Sequence, residues 1–179
     1  MKYSIPFVSL FLLISAFCHS QEKSTGPILN DFGAVWAIEN PDFKTDLNGE
    51  FKVVFDVMDS PESHSELNPW IETAARFLNM HAQAGVPLSQ LKVALVVHNK
   101  ASKDIANNEK YGILYGTENP NRPMIEALMQ AGAEVIFCGQ SSKSRGFPKE
   151  DLIPGTKMAL SAMTALIQLQ NEGYRLIKF

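Results

Sequence analysis

Three residue types that together could do thiol chemistry close short apolar runs in this chain: Asp56 ends "FKVVFD", His98 ends "LKVALVVH" and Cys138 ends "AEVIFC". A cysteine reacts as its thiolate, which cations, peptide N–H groups or an imidazolium favour and apolar surroundings oppose. After Cys138 the sequence turns small and polar, "GQSSKSRG", which reads as a loop carrying Lys143 and Arg145, with Gly139, Ser141 and Ser142 leaving little bulk over the sulfur. N–H groups of such a loop stabilise a thiolate or a persulfide anion. The structural reading of the same cysteine is a small apolar residue closing a buried strand. His98 also carries two readings: a base or hydrogen-bond partner for Cys138, or a strand-end histidine bonded to a loop carbonyl.

A parallel sheet would bring these residues together. "FKVVFDVMD", "LKVALVVHN" and "AEVIFCG" are Val-, Ile- and Phe-rich strand runs, and the segments between them carry apolar residues at helical spacing. Ile71, Ala75, Leu78 and Ala82 line one face of a helix that Asn68 caps, Pro69 starts, and Gly85 and Pro87 stop. A second helix runs from Pro123 to Ala131 with Asn121 as its cap and Gly132 as its stop. A third spans roughly Thr156 to Glu172, followed by the terminal strand "YRLIKF". Strands alternating with helices predict an α/β fold, an open parallel sheet covered by helices on both faces. Ligands of such sheets gather outside the carboxyl ends of the strands, where Asp56, Asp59, His98, Asn99 and Cys138 all fall. Asn79 and His81 read as packing or surface residues of the first helix, and Asp59 with His64 as part of a solvated loop.

The first 20 residues have the grammar of a secretory signal peptide: Lys2, an apolar run to Phe17, then small or polar residues, with cleavage expected after Ser20. The apolar run is too short for a membrane span, and bulky Phe17 before Cys18 argues against a lipoprotein site. Removal of residues 1–20 leaves Cys138 as the lone cysteine, unable to form an intramolecular disulfide, and 15 Lys and Arg against 19 Asp and Glu, a net charge of -4. No basic field or arginine-rich run draws in nucleic acid. Residues 21–50 read as an extension with little regular structure, ending at "DLNGE", and residues 51–179 as the domain proper. No Cys-x-x-Cys, His-Glu-x-x-His, Gly-x-Gly-x-x-Gly or P-loop pattern occurs, so no metal, haem or nucleotide cofactor is expected.

The stretches "KVVFDV", "ARFLNMHAQAGVP", "KVALVVH", "NPNRPMIEAL", "VIFCGQSSKSRGF" and "ALSAMTALIQLQNEGY" resemble the DsrE/DsrF-like family, specifically an exported branch of it. The resemblance covers essentially all of Phe51 to Phe179. A strand-ending cysteine followed seven and eight residues later by Arg-Gly, here Arg145 and Gly146, is the pattern around the active cysteine of members that relay sulfur. It implies a flavodoxin-like or YchN-like sheet, homotrimers or homohexamers, and persulfide chemistry at Cys138, served by a sulfur donor and a thiol-bearing acceptor. Two features depart from the pattern. The best-known relay members work in the cytoplasm with cognate subunits, whereas this chain carries an export signal. Many exported relatives read Val-His-Gly where this chain reads Val97, His98 and Asn99, so the glycine's backbone freedom is absent there.

The resulting expectation is a secreted or periplasmic α/β domain that carries or transfers sulfane sulfur on Cys138, with His98 and Arg145 assisting. The reading from another class is a non-catalytic oligomeric binding or assembly protein in which Cys138 is structural. A thiol peroxidase lacks a resolving cysteine and ranks behind both.

Overall fold

A strand buried on both faces must be apolar along nearly its whole length, and "LKVALVV", with Lys92 as its one charged residue, has that character. In the computed structural model, which describes residues 22–178, this run forms β2, Leu91–Val97, in the middle of a five-stranded parallel sheet. The other strands are β1 (Phe51–Val57), β3 (Glu134–Cys138), β4 (Lys157–Ala159) and β5 (Arg175–Ile177), in the order β4-β3-β2-β1-β5. The expected signal peptide with Cys18, and the final residue Phe179, lie outside the described residues.

That order assigns the helices to faces. From β1 to β4 each strand lies beside its predecessor in one direction, and right-handed crossovers then return on one face of the sheet. The crossovers hold α1 (Pro69–Gln83), α2 (Asn108–Tyr115), α3 (Arg122–Gln130) and α4 (Gly139–Arg145). From β4 the chain steps back across the whole sheet to β5, so α5 (Ala162–Asn171) covers the opposite face. Strand periodicity divides the core accordingly. Val53, Phe55, Val57, Val93, Leu95, Val97, Val135 and Phe137 pack with α1 to α3, while Val54, Ala94, Val96 and Cys138 pack with Ala162, Ala165 and Leu169 of α5.

Capping explains where the helices begin. Asn68 accepts from the N–H groups of Trp70 (2.9 Å) and Ile71 (3.3 Å), and Pro69 occupies the first turn of α1, as the sequence predicts. Ser161 caps α5 through Thr164 N–H at 3.1 Å.

Other segments differ from the sequence reading. Asn121 sits at the cap position of α3 without capping it. Its Oδ1 accepts from Asn68 N–H at 2.6 Å and its Nδ2 donates to Asp104 Oδ1 at 3.3 Å, because these fully buried groups need partners more than a helix end open to its neighbours does. The stretch expected as one helix from Thr156 begins instead as β4, since Ile136 to Cys138 of β3 offer a ladder to Lys157 to Ala159. The "GQSSKSRG" stretch, read as a loop, is α4.

Residues 22–50 contain little regular structure but are firmly attached. Asn79, fully buried on α1, accepts from Ile28 N–H (3.2 Å) and Leu29 N–H (2.9 Å) and donates to the carbonyls of Leu29 (2.9 Å), Phe32 (2.9 Å) and Gly33 (3.1 Å). Asn79 is thus a clamp for the extension rather than a generic packing residue.

Candidate functional site

The parallel register carries the three strand-end residues onto one face. Val97 of β2 pairs with Phe137 of β3, so the next residues, His98 and Cys138, stand side by side at the strand ends. Alternation puts Asp56, His98 and Cys138 on the α5 side. The sheet thus delivers the carboxylate, imidazole and thiol to one edge.

Within that edge the groups divide into two sets. His98 Nε2 meets Asp56 Oδ1 at 2.7 Å, and Lys178 Nζ meets Asp56 Oδ2 at 2.9 Å. Burial raises the Asp56 carboxyl, but the hydrogen bonds and charges of Lys178 and His98 outweigh it and hold the group below its ordinary 3.8. Among the described residues no hydrogen bond joins the His98 ring to Cys138; the imidazole is oriented by the carboxylate on β1. Asp59 stands apart, with Lys100 at 3.9 Å, and His64 stacks on Tyr115 with ring centroids 4.0 Å apart. His81 donates through Nδ1–H to the Phe77 carbonyl oxygen, 2.8 Å away on α1.

Cys138 is 5% exposed, and burial alone would raise its thiol. The net shift is nevertheless downward from 9.0, because the nearby N–H groups of Ser141, Ala162 and Gln140 and the hydroxyl of Ser141 favour the anion. Two chain segments supply these donors: the first turn of α4 and the start of α5. Gly139 permits their approach, since a Cβ there would lie 2.7 Å from the Ala159 carbonyl oxygen and 3.2 Å from that of Leu160.

Lys143 and Arg145 are exposed residues of α4 rather than of a loop. Arg145 Nη2 donates to Asn99 Oδ1, not to the sulfur. Asn99 adopts φ +54°, the left-handed region that Asn tolerates better than most residues, so the backbone bend expected of glycine survives here. Its N–H donates to Ser141 Oγ at 3.0 Å.

The donors from Ser141, Gln140 and Ala162 were invisible as a group in sequence; Ser141, three residues after Cys138, was the one available signal. The buried cluster of Asp104, Asn68, Asn119 and Asn121 was also missed. Asp104 accepts from Asn68 Nδ2 (2.6 Å) and Lys103 Nζ (2.7 Å), and Asn119 Nδ2 donates to the Asp104 carbonyl (2.7 Å), which ties the starts of α1 and α3 to the segment after β2. Among the described residues no three His, Cys, Asp or Glu side chains converge as a metal cluster, and no helix is long and apolar enough to cross a membrane.

The family model "DsrE/DsrF-like family" matches residues 52–179, which hold the sheet from Lys52 of β1 onward and its strand-ending cysteine. The chain belongs to the DsrE/DsrF-like family. Two solved structures share the fold of this family member. MTH1491 from Methanobacterium thermoautotrophicum, a protein of unknown function, is similar at TM-score 0.54 and 17% identity, over 73% of this chain and 100% of that one. The YchN protein from E. coli is similar at TM-score 0.53 and 19% identity, over 72% of this chain and 99% of its own. No curated protein matches the chain. Family membership suggests a role in sulfur relay in general terms.

Proposed function

We propose that the protein is an exported sulfur carrier that holds sulfane sulfur as a persulfide on Cys138. The observation that supports this best is the thiol's environment: a buried sulfur would ordinarily stay protonated, yet the N–H groups of Ser141, Ala162 and Gln140 and the Ser141 hydroxyl around it favour the anion. The Cys138 thiolate attacks a sulfane sulfur of a polysulfide; one S–S bond forms, another breaks, and the shortened polysulfide leaves with the electron pair. An acceptor thiolate then attacks the outer sulfur and releases Cys138 as thiolate, so the two steps balance without an oxidant. No second cysteine follows residue 20, so the sulfur passes to a separate thiol-bearing partner. His98, oriented by Asp56, is the base for the incoming or outgoing thiol, and Arg145 serves the site from the far end of α4.

So buried a residue as Cys138 suits a slender donor such as an inorganic polysulfide chain. The N-terminal signal pattern supports export, and N-terminal sequencing of the protein from its native host is expected to begin near Gln21. Leu160, Met163 and Ile167 are 74%, 71% and 59% exposed around α5, an apolar surface that supports a homotrimer or homohexamer.

Intact-mass spectrometry after polysulfide treatment tests the reading: the mature chain gains about 32 Da per added sulfur and Cys138→Ser gains none. The low exposure of Cys138 also favours the assembly-protein reading. On that reading the folded protein ignores polysulfide and iodoacetamide until denaturant is added.

A further inference from the structure

Asn99 links the first turn of α4, at Ser141, with its last residue, Arg145, and is held at several points. Its N–H donates to Ser141 Oγ at 3.0 Å, its carbonyl accepts from Ser102 Oγ at 2.6 Å, and its Oδ1 accepts from Arg145 Nη2. Its φ of +54° turns the N–H toward α4. A hydroxyl whose oxygen already accepts a hydrogen bond has its single proton to place elsewhere. The Ser141 hydroxyl is one of the groups that lower the Cys138 thiol.

We propose that Asn99 and Arg145 are positioning residues for Cys138: Arg145 pins the Asn99 side chain, the Asn99 N–H orients the Ser141 hydroxyl, and that hydroxyl donates to the sulfur. The inference rests on the reading of Cys138 as a reactive thiol and names residues that tune it. Direct attraction between an exposed guanidinium and the thiolate is the rival route, and salt weakens it more than it weakens a hydrogen-bonded relay.

Titration of the thiolate's ultraviolet absorbance, with Cys138→Ser as the blank, reads the thiol directly even where reagents cannot reach it. Ser141→Ala is expected to raise the apparent pKa by about one unit, the worth of one hydrogen bond to a charged group. Arg145→Ala raises it by less. In a Ser141→Ala background, Arg145→Ala then adds nothing, because its route to the sulfur is gone. Asn99→Gly, which keeps the positive φ and so the fold, reproduces the Arg145→Ala shift and makes the chain insensitive to further loss of Arg145. A shift from Arg145→Ala that persists in the Ser141→Ala background overturns the relay in favour of direct charge, and no shift from Arg145→Ala overturns it outright. Polysulfide loading of the wild type is scored separately. A chain that takes up no sulfur but shows the non-additive titration pattern refutes the carrier reading and keeps the relay.

Discussion

Replacing Gly139 by alanine is the sharpest probe of how two distant segments acidify one thiol. The added Cβ would stand 2.7 Å from the Ala159 oxygen and 3.2 Å from the Leu160 oxygen, both backbone atoms that cannot swing aside. An ordinary close C···O approach is about 3.3 Å, so the β4–α5 connection must retreat by roughly 0.6 Å. Overpacking of this kind costs about 2 kcal/mol, which in a chain of this size lowers Tm by about 4–8 °C. The retreat also carries away Ala162, two residues beyond Leu160, whose N–H is one of the sulfur's donors. Loss of one hydrogen bond to a charged group is worth about 1.5 kcal/mol, or about one unit of thiol pKa, upward. The assays are thermal unfolding and the pH dependence of thiolate absorbance. Gly146→Ala is the control: its φ is +72° and a Cβ there meets no heavy atom within 4 Å. That change costs about 1 kcal/mol of left-handed strain and leaves the thiol unmoved. A folded Gly139→Ala protein with the wild-type thiol pKa would refute the role assigned to Ala162, and an equal rise in Gly146→Ala would reduce the effect to general loosening.

Asn79→Ala strands several buried backbone groups of residues 28–33 and is expected to cost about 3 kcal/mol, with limited proteolysis cutting residues 22–50 while the sheet remains intact. Asp56 is held below 3.8, so the stability it lends is present above that pH and is lost as pH falls through its folded value. Asp56→Asn therefore flattens the acid limb of a urea-midpoint profile, whereas Lys178→Ala, which removes a half-exposed partner, changes it by only about 0.5 kcal/mol. Light scattering is expected to find an oligomer that Ile167→Glu dissociates, and a wild type that stays monomeric at micromolar concentration rules out the α5 face as its interface.

Local sequence determined the strands that hold the chemistry and the face they present. Val-, Ile- and Phe-rich runs suited to burial on both faces leave β1, β2 and β3 few alternatives, and parallel pairing then lines up Asp56, His98 and Cys138 at their ends. Asn68 and Pro69 likewise specify the start of α1, because an N-cap acts within three residues. Tertiary structure decided the rest. "GQSSKSRG" has weak helix propensity, and a buried strand end before it and buried Phe147 after it hold it as α4. Lys157 to Ala159 follow the open edge of β3 instead of their helical neighbours. Asn121 bears a capping residue's side chain yet serves buried Asn68 and Asp104, whose need for partners exists only once the chain is packed. The acidity of the thiol belongs to the same category. Its donors come from Ser141, three residues away, and from Ala162, on another element altogether, and desolvation opposes them. The balance of such terms depends on distances between segments, which no window of sequence contains.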